Sequence, residues 1–177
     1  MNVDAPIALI GARYSTPERA MQDYDAVWGA RHDGDFHHTS VAVLAKGHDG
    51  ELHVQRSNST AKHLMWGGAL LGSALVVLAP PAGVELFSAV GLTGAGAIVG
   101  HFRSNASPER LAETALLLQE GACGLVVVVV NRRGEGVTPL LARADERVSV
   151  DMVWGNLEEE LSQDFAKPVS DLVLVAM

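Results

Sequence analysis

Asp33, Asp35 and His37 fall at alternate positions with His38 beside them. On an extended backbone alternate residues face one side, and imidazole with carboxylate suits a transition metal. These four are the candidate metal site. A solvated loop entering a strand accounts for the same residues more simply, because no second cluster in the chain has ligand spacing. His48 falls in a turn and His53 on the strand after it, too far along to meet His37.

Gly94-Ala95-Gly96 with Gly100 has the outline of a dinucleotide-binding pattern. That fingerprint needs a strand before the glycines and a helix after them. Here they sit inside an apolar helical segment, so no cofactor is expected. The chain carries no P-loop, no G-x-S-x-G elbow and no H-E-x-x-H. Its single cysteine, Cys123, leaves no internal disulfide and no cysteine-based cluster. Followed by Gly124 and a valine run, it reads as a small buried residue at a strand start rather than a nucleophile. No catalytic residue is assigned, and a non-enzymatic role is favoured.

The 13 Lys+Arg against 21 Asp+Glu give a net charge of −8. Binding a phosphate backbone wants the opposite sign, so nucleic acid is not an expected partner. Arg132-Arg133 and Glu158-Glu159-Glu160 read as solvated faces. Met1-Asn2-Val3-Asp4 lacks the basic and apolar regions of a secretory signal, and the expectation is a cytoplasmic main domain.

Between Leu64 and Gly100 the only formal charge is Glu85, and Pro80-Pro81 splits the stretch. It reads as a hairpin of two apolar helices, Leu64 to Ala79 and Ala82 to Gly100. The first arm would extend about 24 Å, short of the roughly 30 Å hydrocarbon core. Gly68 with Gly72, and Gly96 with Gly100, form two G-x-x-x-G pairs. Such pairs let helix backbones approach closely, within the hairpin or between copies. Lys62-His63 and His101 with Arg103 flank the arms as a basic base or polar rim, with Trp66 as an anchor or a core residue.

At 177 residues the chain suits one domain spanning 1–177. Pro6 to Arg13 is a strand. A helix then starts at Thr16-Pro17-Glu18-Arg19, with Met21, Tyr24 and Trp28 on its buried face. Val41 to Ala45 and Leu52 with Val54 form a β-hairpin around the turn Gly47-His48-Asp49-Gly50. Ser107-Pro108-Glu109-Arg110 repeats the first helix-start grammar, and Leu111, Ala115 and Leu118 mark the apolar face. Leu125 to Val130 is a central strand. Residues 132–177 extend the same sheet, with a strand at Val148 to Val153, a helix at Leu157 to Phe165 capped by Asn156, and an apolar run at Leu172 to Val175.

This order matches a ferredoxin-like split β-α-β plan, an antiparallel sheet with two packing helices and residues 64–100 as an inserted hairpin. The hairpin strands at Val41-Ala42-Val43-Leu44 and Glu51-Leu52-His53-Val54, the run Trp66-Gly67-Gly68-Ala69-Leu70-Leu71-Gly72, Pro80-Pro81 and Gly94-Ala95-Gly96-Ala97 carry a resemblance over roughly residues 6 to 131. The chain resembles a bacterial family of uncharacterised membrane or stress-related proteins of unknown function. That resemblance implies a ferredoxin-like unit interrupted by a glycine-rich helical hairpin and implies no reaction.

The expected function is self-association, with the hairpin and its Gly68, Gly72, Gly96 and Gly100 as the interface of a homo-oligomer. Docking of the hairpin on the inner membrane is the close competitor. The alternative from another class is a small-molecule or metal-binding domain, or an enzyme, using Asp33, Asp35, His37 and His38.

Overall fold

A strand with no polar side chain needs cover on both faces, and Cys123–Val130 is buried along its whole length. In the computed structural model, which describes residues 4–31, 38–60, 64–90, 95–130, 134–157 and 159, this strand is the middle of a five-stranded sheet. The strands are β1 (Pro6–Tyr14), β2 (His38–Lys46), β3 (Leu52–Ser59), β4 (Cys123–Val130) and β5 (Glu146–Val153). Their order is β3-β2-β4-β1-β5. Every pairing is antiparallel, from Ile7 opposite Val130 in β1 and β4 to Ser40 opposite Ser59 in β2 and β3. The sheet therefore has the antiparallel character the sequence implies, and β5 joins it beside β1 as an extension.

Because β1 and β2 are both antiparallel to β4, they run parallel to each other with β4 between them. The helix α1 (Pro17–Ala30) makes that crossover, so a split β-α-β unit is present. The neighbours of β1 differ from the ferredoxin-like expectation, however. A ferredoxin-like unit sets β1 between its third and fourth strands, whereas here β1 lies between β4 and β5. Helices also cover both faces rather than one, since two apolar faces along β1, β2 and β4 each require a partner layer.

On one face, Ala20, Tyr24 and Val27 of α1 pack with Ala8, Ile10, Val41, Val43, Val127 and Val129. The buried stripe of α1 is Ala20, Asp23, Tyr24, Val27 and Ala30, with Met21 and Trp28 at its margin. That is one position away from the expected face. Thr16 holds the N-cap position with extended dihedrals but its side chain makes no cap bond; Pro17 opens the helix. The helix ends at Ala30, with Arg31 in the C-cap position.

The opposite face carries α2 (Leu64–Leu78), α3 (Pro80–Val90), α4 (Ala95–Asn105) and α5 (Pro108–Glu120). Leu71, Leu75 and Leu78 of α2 share one core with Ile7, Leu9, Ala42, Leu44, Val126 and Val128. The first apolar arm is thus laid against this chain's own sheet. Of the second arm the structure describes α3 and α4, residues 91–94 lying outside the described residues, and α4 continues past Gly100 to Asn105. Pro80-Pro81 does not form a separate turn either. Both prolines sit in the first turn of α3, where a missing N–H costs no helical bond. Ala79 alone joins α2 to α3. Ser107 caps α5 by accepting the Arg110 N–H at 3.3 Å.

Candidate functional site

Of the four candidate metal ligands, Asp33, Asp35 and His37 lie outside the described residues. His38 is half-buried at the start of β2, opposite Val130. Among the described residues no three His, Cys, Asp or Glu side chains gather where they could hold a metal ion. Lys62, His63, Arg132, Arg133, Glu158 and the chain from residue 160 onward also lie outside the described residues, as do most of the helix expected from Leu157 and the run at Leu172 to Val175.

The four interface glycines fall in two environments. On α2, Gly72 is buried and Gly68 half-buried; on α4, Gly96 and Gly100 are exposed. The close approach inside the helix layer is made by a different residue. A Cβ at Gly83 would lie 2.4 Å from the Val76 backbone nitrogen, so α3 can pack on α2 at this distance only with glycine there. At Gly100 a Cβ would meet nothing within 4 Å among the described residues. The notch at Gly83 is filled from within the chain, and the one at Gly100 is open.

Polar side chains of this layer reach both edges of the sheet. Glu85 of α3 turns to the edge strand β3, accepting the Val54 N–H at 3.4 Å and standing 3.5 Å from His53 Nδ1. His53 Nε2 in turn lies 2.9 Å from Asp49 Oδ2. The Asp49 bond raises the His53 pKa above its ordinary value, and Glu85 adds to the effect. Asp49 is held below the usual carboxylate range by the Glu51 N–H and then by His53. At the other edge, His101 of α4 is buried and its Nε2–H donates to the Val153 carbonyl at 3.0 Å, while Nδ1 accepts from Asn105 at 3.3 Å. His101 is therefore a packed edge residue instead of part of a polar rim, because α4 extends far enough to reach β5. Arg103 is exposed.

The face under α1 is built differently. Asp23 is fully buried and accepts from Tyr14 Oη at 3.0 Å, from the Arg143 backbone N–H at 2.9 Å and from Arg143 Nη1 at 3.1 Å. Burial, followed by the Asp23 carboxylate, pushes the Tyr14 hydroxyl well above its usual range. Hydrogen bonding of this number is what a carboxylate needs to stay in a core. Beside α1 lies a cleft of ≈ 370 Å³ lined by Pro17, Met21, Val43, Ala45, Gln55, Arg56 and Cys123. Cys123 is buried as expected, its thiol donating to the Tyr14 carbonyl at 3.4 Å, and burial pushes its pKa up. A thiol so placed is a poor nucleophile.

Sequence reading passed over Gly83, Asp23 and the partners of Glu85 and His101. Asp23 had one available signal: it sits one position from Tyr24, on the buried stripe of α1. Gly83 belongs to no four-residue glycine pair, and its role follows from the one-residue link between α2 and α3. No helix among the described residues is long and apolar enough to cross a membrane. Comparison with family models, with curated proteins and with solved structures finds no match to this chain.

Proposed function

We propose that the protein is a non-enzymatic assembly module that binds a second copy of itself through the outer surface of α3 and α4. The observation that carries this reading is the open glycine pair on α4. Gly96 and Gly100 are exposed one turn apart, with empty space where a Gly100 side chain would be. A helix from another copy can approach there as closely as α2 approaches Gly83, since small residues permit backbone contact. Two further features support it. Glu85, the only formal charge between Leu64 and Gly100, is spent on the edge of β3, and Val84 beside it is 60 % exposed.

Sedimentation velocity over about a hundredfold range of protein concentration, without detergent, tests the proposal. Self-association that G96L with G100L weakens, at unchanged thermal stability, is the expected result. A monomer at every concentration overturns it; floating of that monomer with phospholipid vesicles would transfer the surface to lipid docking.

A further inference from the structure

The sheet is covered unequally, and the shortfall leaves a site. Four helices share one face, whereas on the other α1 shares the cover with the short segment 134–144, whose Val137 and Leu141 join its core. Past the edge of α1, the sheet surface toward β3 stays open as the ≈ 370 Å³ cleft. Pro17 and Met21 of α1 form one wall, Val43, Ala45 and Cys123 the floor, and Gln55 with Arg56 of β3 the far wall. The register break between Val43 and Leu44 falls opposite this wall, pairing Arg56 with Val43 and Val54 with Leu44, so that Gln55 is the extra residue between them.

We propose that this cleft binds a small carboxylate with an apolar tail, the carboxylate on Arg56 and the tail along Val43, Ala45 and Met21 toward Cys123. The chemistry of the two ends fixes that direction. The Arg56 guanidinium lies 4.4 Å from the Tyr24 ring centroid and 3.4 Å from Asp25 Oδ1. Stacking orients the planar fork, which has more N–H donors than one carboxylate can take and suits bidentate binding of a second. The opposite end is lined by Pro17, Met21, Ala45 and the buried Cys123, which offer an alkyl tail apolar contact and give a carboxylate no cationic N–H donor. Ligand pockets begin at about 300 Å³, and at about 30 Å³ per water-sized group the cleft holds a ligand of roughly ten to twelve heavy atoms. The site is separate from the α3–α4 surface and stands whether or not the chain self-associates.

Octanoate, with neutral octanol as control, is the probe. Titrated into the full chain and followed by amide NMR, octanoate shifts Met21, Val43, Arg56 and Cys123. Octanoate binding falls at least fivefold in R56Q, rises about threefold in D25N where the competing carboxylate is gone, and is lost in A45F, which plugs the floor. Octanol is indifferent to the first two changes. R56K, which keeps the charge, binds octanoate better than R56Q and serves if R56Q is unstable. The proposal is overturned by an absence of shifts up to 10 mM octanoate, by shifts confined elsewhere, by octanol binding as tightly as octanoate, or by affinity unchanged in R56Q and D25N.

Discussion

The two faces of the sheet solve the same burial problem with opposite materials. Under α2 and α5 the interface is mainly aliphatic, with Leu71, Leu75 and Leu78 against Leu9, Leu44 and Val128; the small hydroxyls of Ser73 and Thr114 are buried in it, and charged or ring polar groups reach the edges through Glu85 and His101. Under α1 a carboxylate is buried at the end of β1, and Tyr14 and Arg143 are arranged around it. The first face draws its strength from area and close approach. The second depends on every bond of a small network being made, and its cover stops short of β3, where the cleft lies.

If that contrast is right, substitutions on the two faces fail for different reasons. Leu75→Ala should have the largest effect, about 4 kcal/mol in chemical denaturation, from lost transfer energy and the cavity left under α2. Asp23→Ala should cost about 3 kcal/mol, because the Tyr14 hydroxyl and the Arg143 N–H are left buried without their acceptor. Replacing Tyr14 by Phe in the same background should then cost little more, whereas additive losses would show that no shared network exists.

The two glycine notches sharpen the comparison within the helix layer. Gly83→Ala should cost about 2 kcal/mol, since the new methyl meets the Val76 backbone and α3 must move. Gly100→Ala should instead raise the melting temperature slightly, by removing a flexible residue from a helix where the methyl has space. Equal effects of the two would mean that α2 and α3 are not in the contact described.

The smallest effect belongs to the edge. His53 has a raised pKa, so its contribution is complete below the ordinary histidine value of 6.5 and is lost as pH rises through the higher folded value. Asp49 has a lowered pKa, and its contribution is present above its ordinary 3.8 and lost as pH falls through the lower folded value. The His53 contacts with Asp49 and Glu85 are therefore strongest in mildly acidic solution. Amide hydrogen exchange in α3 should be slowest there after correction for intrinsic rates, and His53→Gln should flatten that dependence.

Local sequence carried most of the elements. The β2–β3 turn was legible because Gly47-His48-Asp49-Gly50 ends on a residue with φ of +80° that glycine supplies freely. β4 was legible as a central strand from an unbroken valine run. Its neighbours were not, because a strand apolar on both sides fits beside any partner, and the order β3-β2-β4-β1-β5 depends on long-range choices. The burial of Asp23 depends on Arg143, 120 positions away. Spacing picks out the exposed pair Gly96 and Gly100 but does not tell a filled notch from an empty one, and it passes over Gly83, which has no glycine four residues away.

The position of β4 has a consequence for the chain as it is made. β1 and β2 touch only through β4, so the sheet cannot close until residue 130 has left the ribosome. At ordinary elongation speeds that is on the order of ten seconds after β2 emerges. Throughout that interval α2 and α3 have β2 and β3 to lie on but not β4 or β1, and the part of their apolar face that β4 and β1 cover is open. The chain thus exposes more apolar surface during its synthesis than after the sheet has closed.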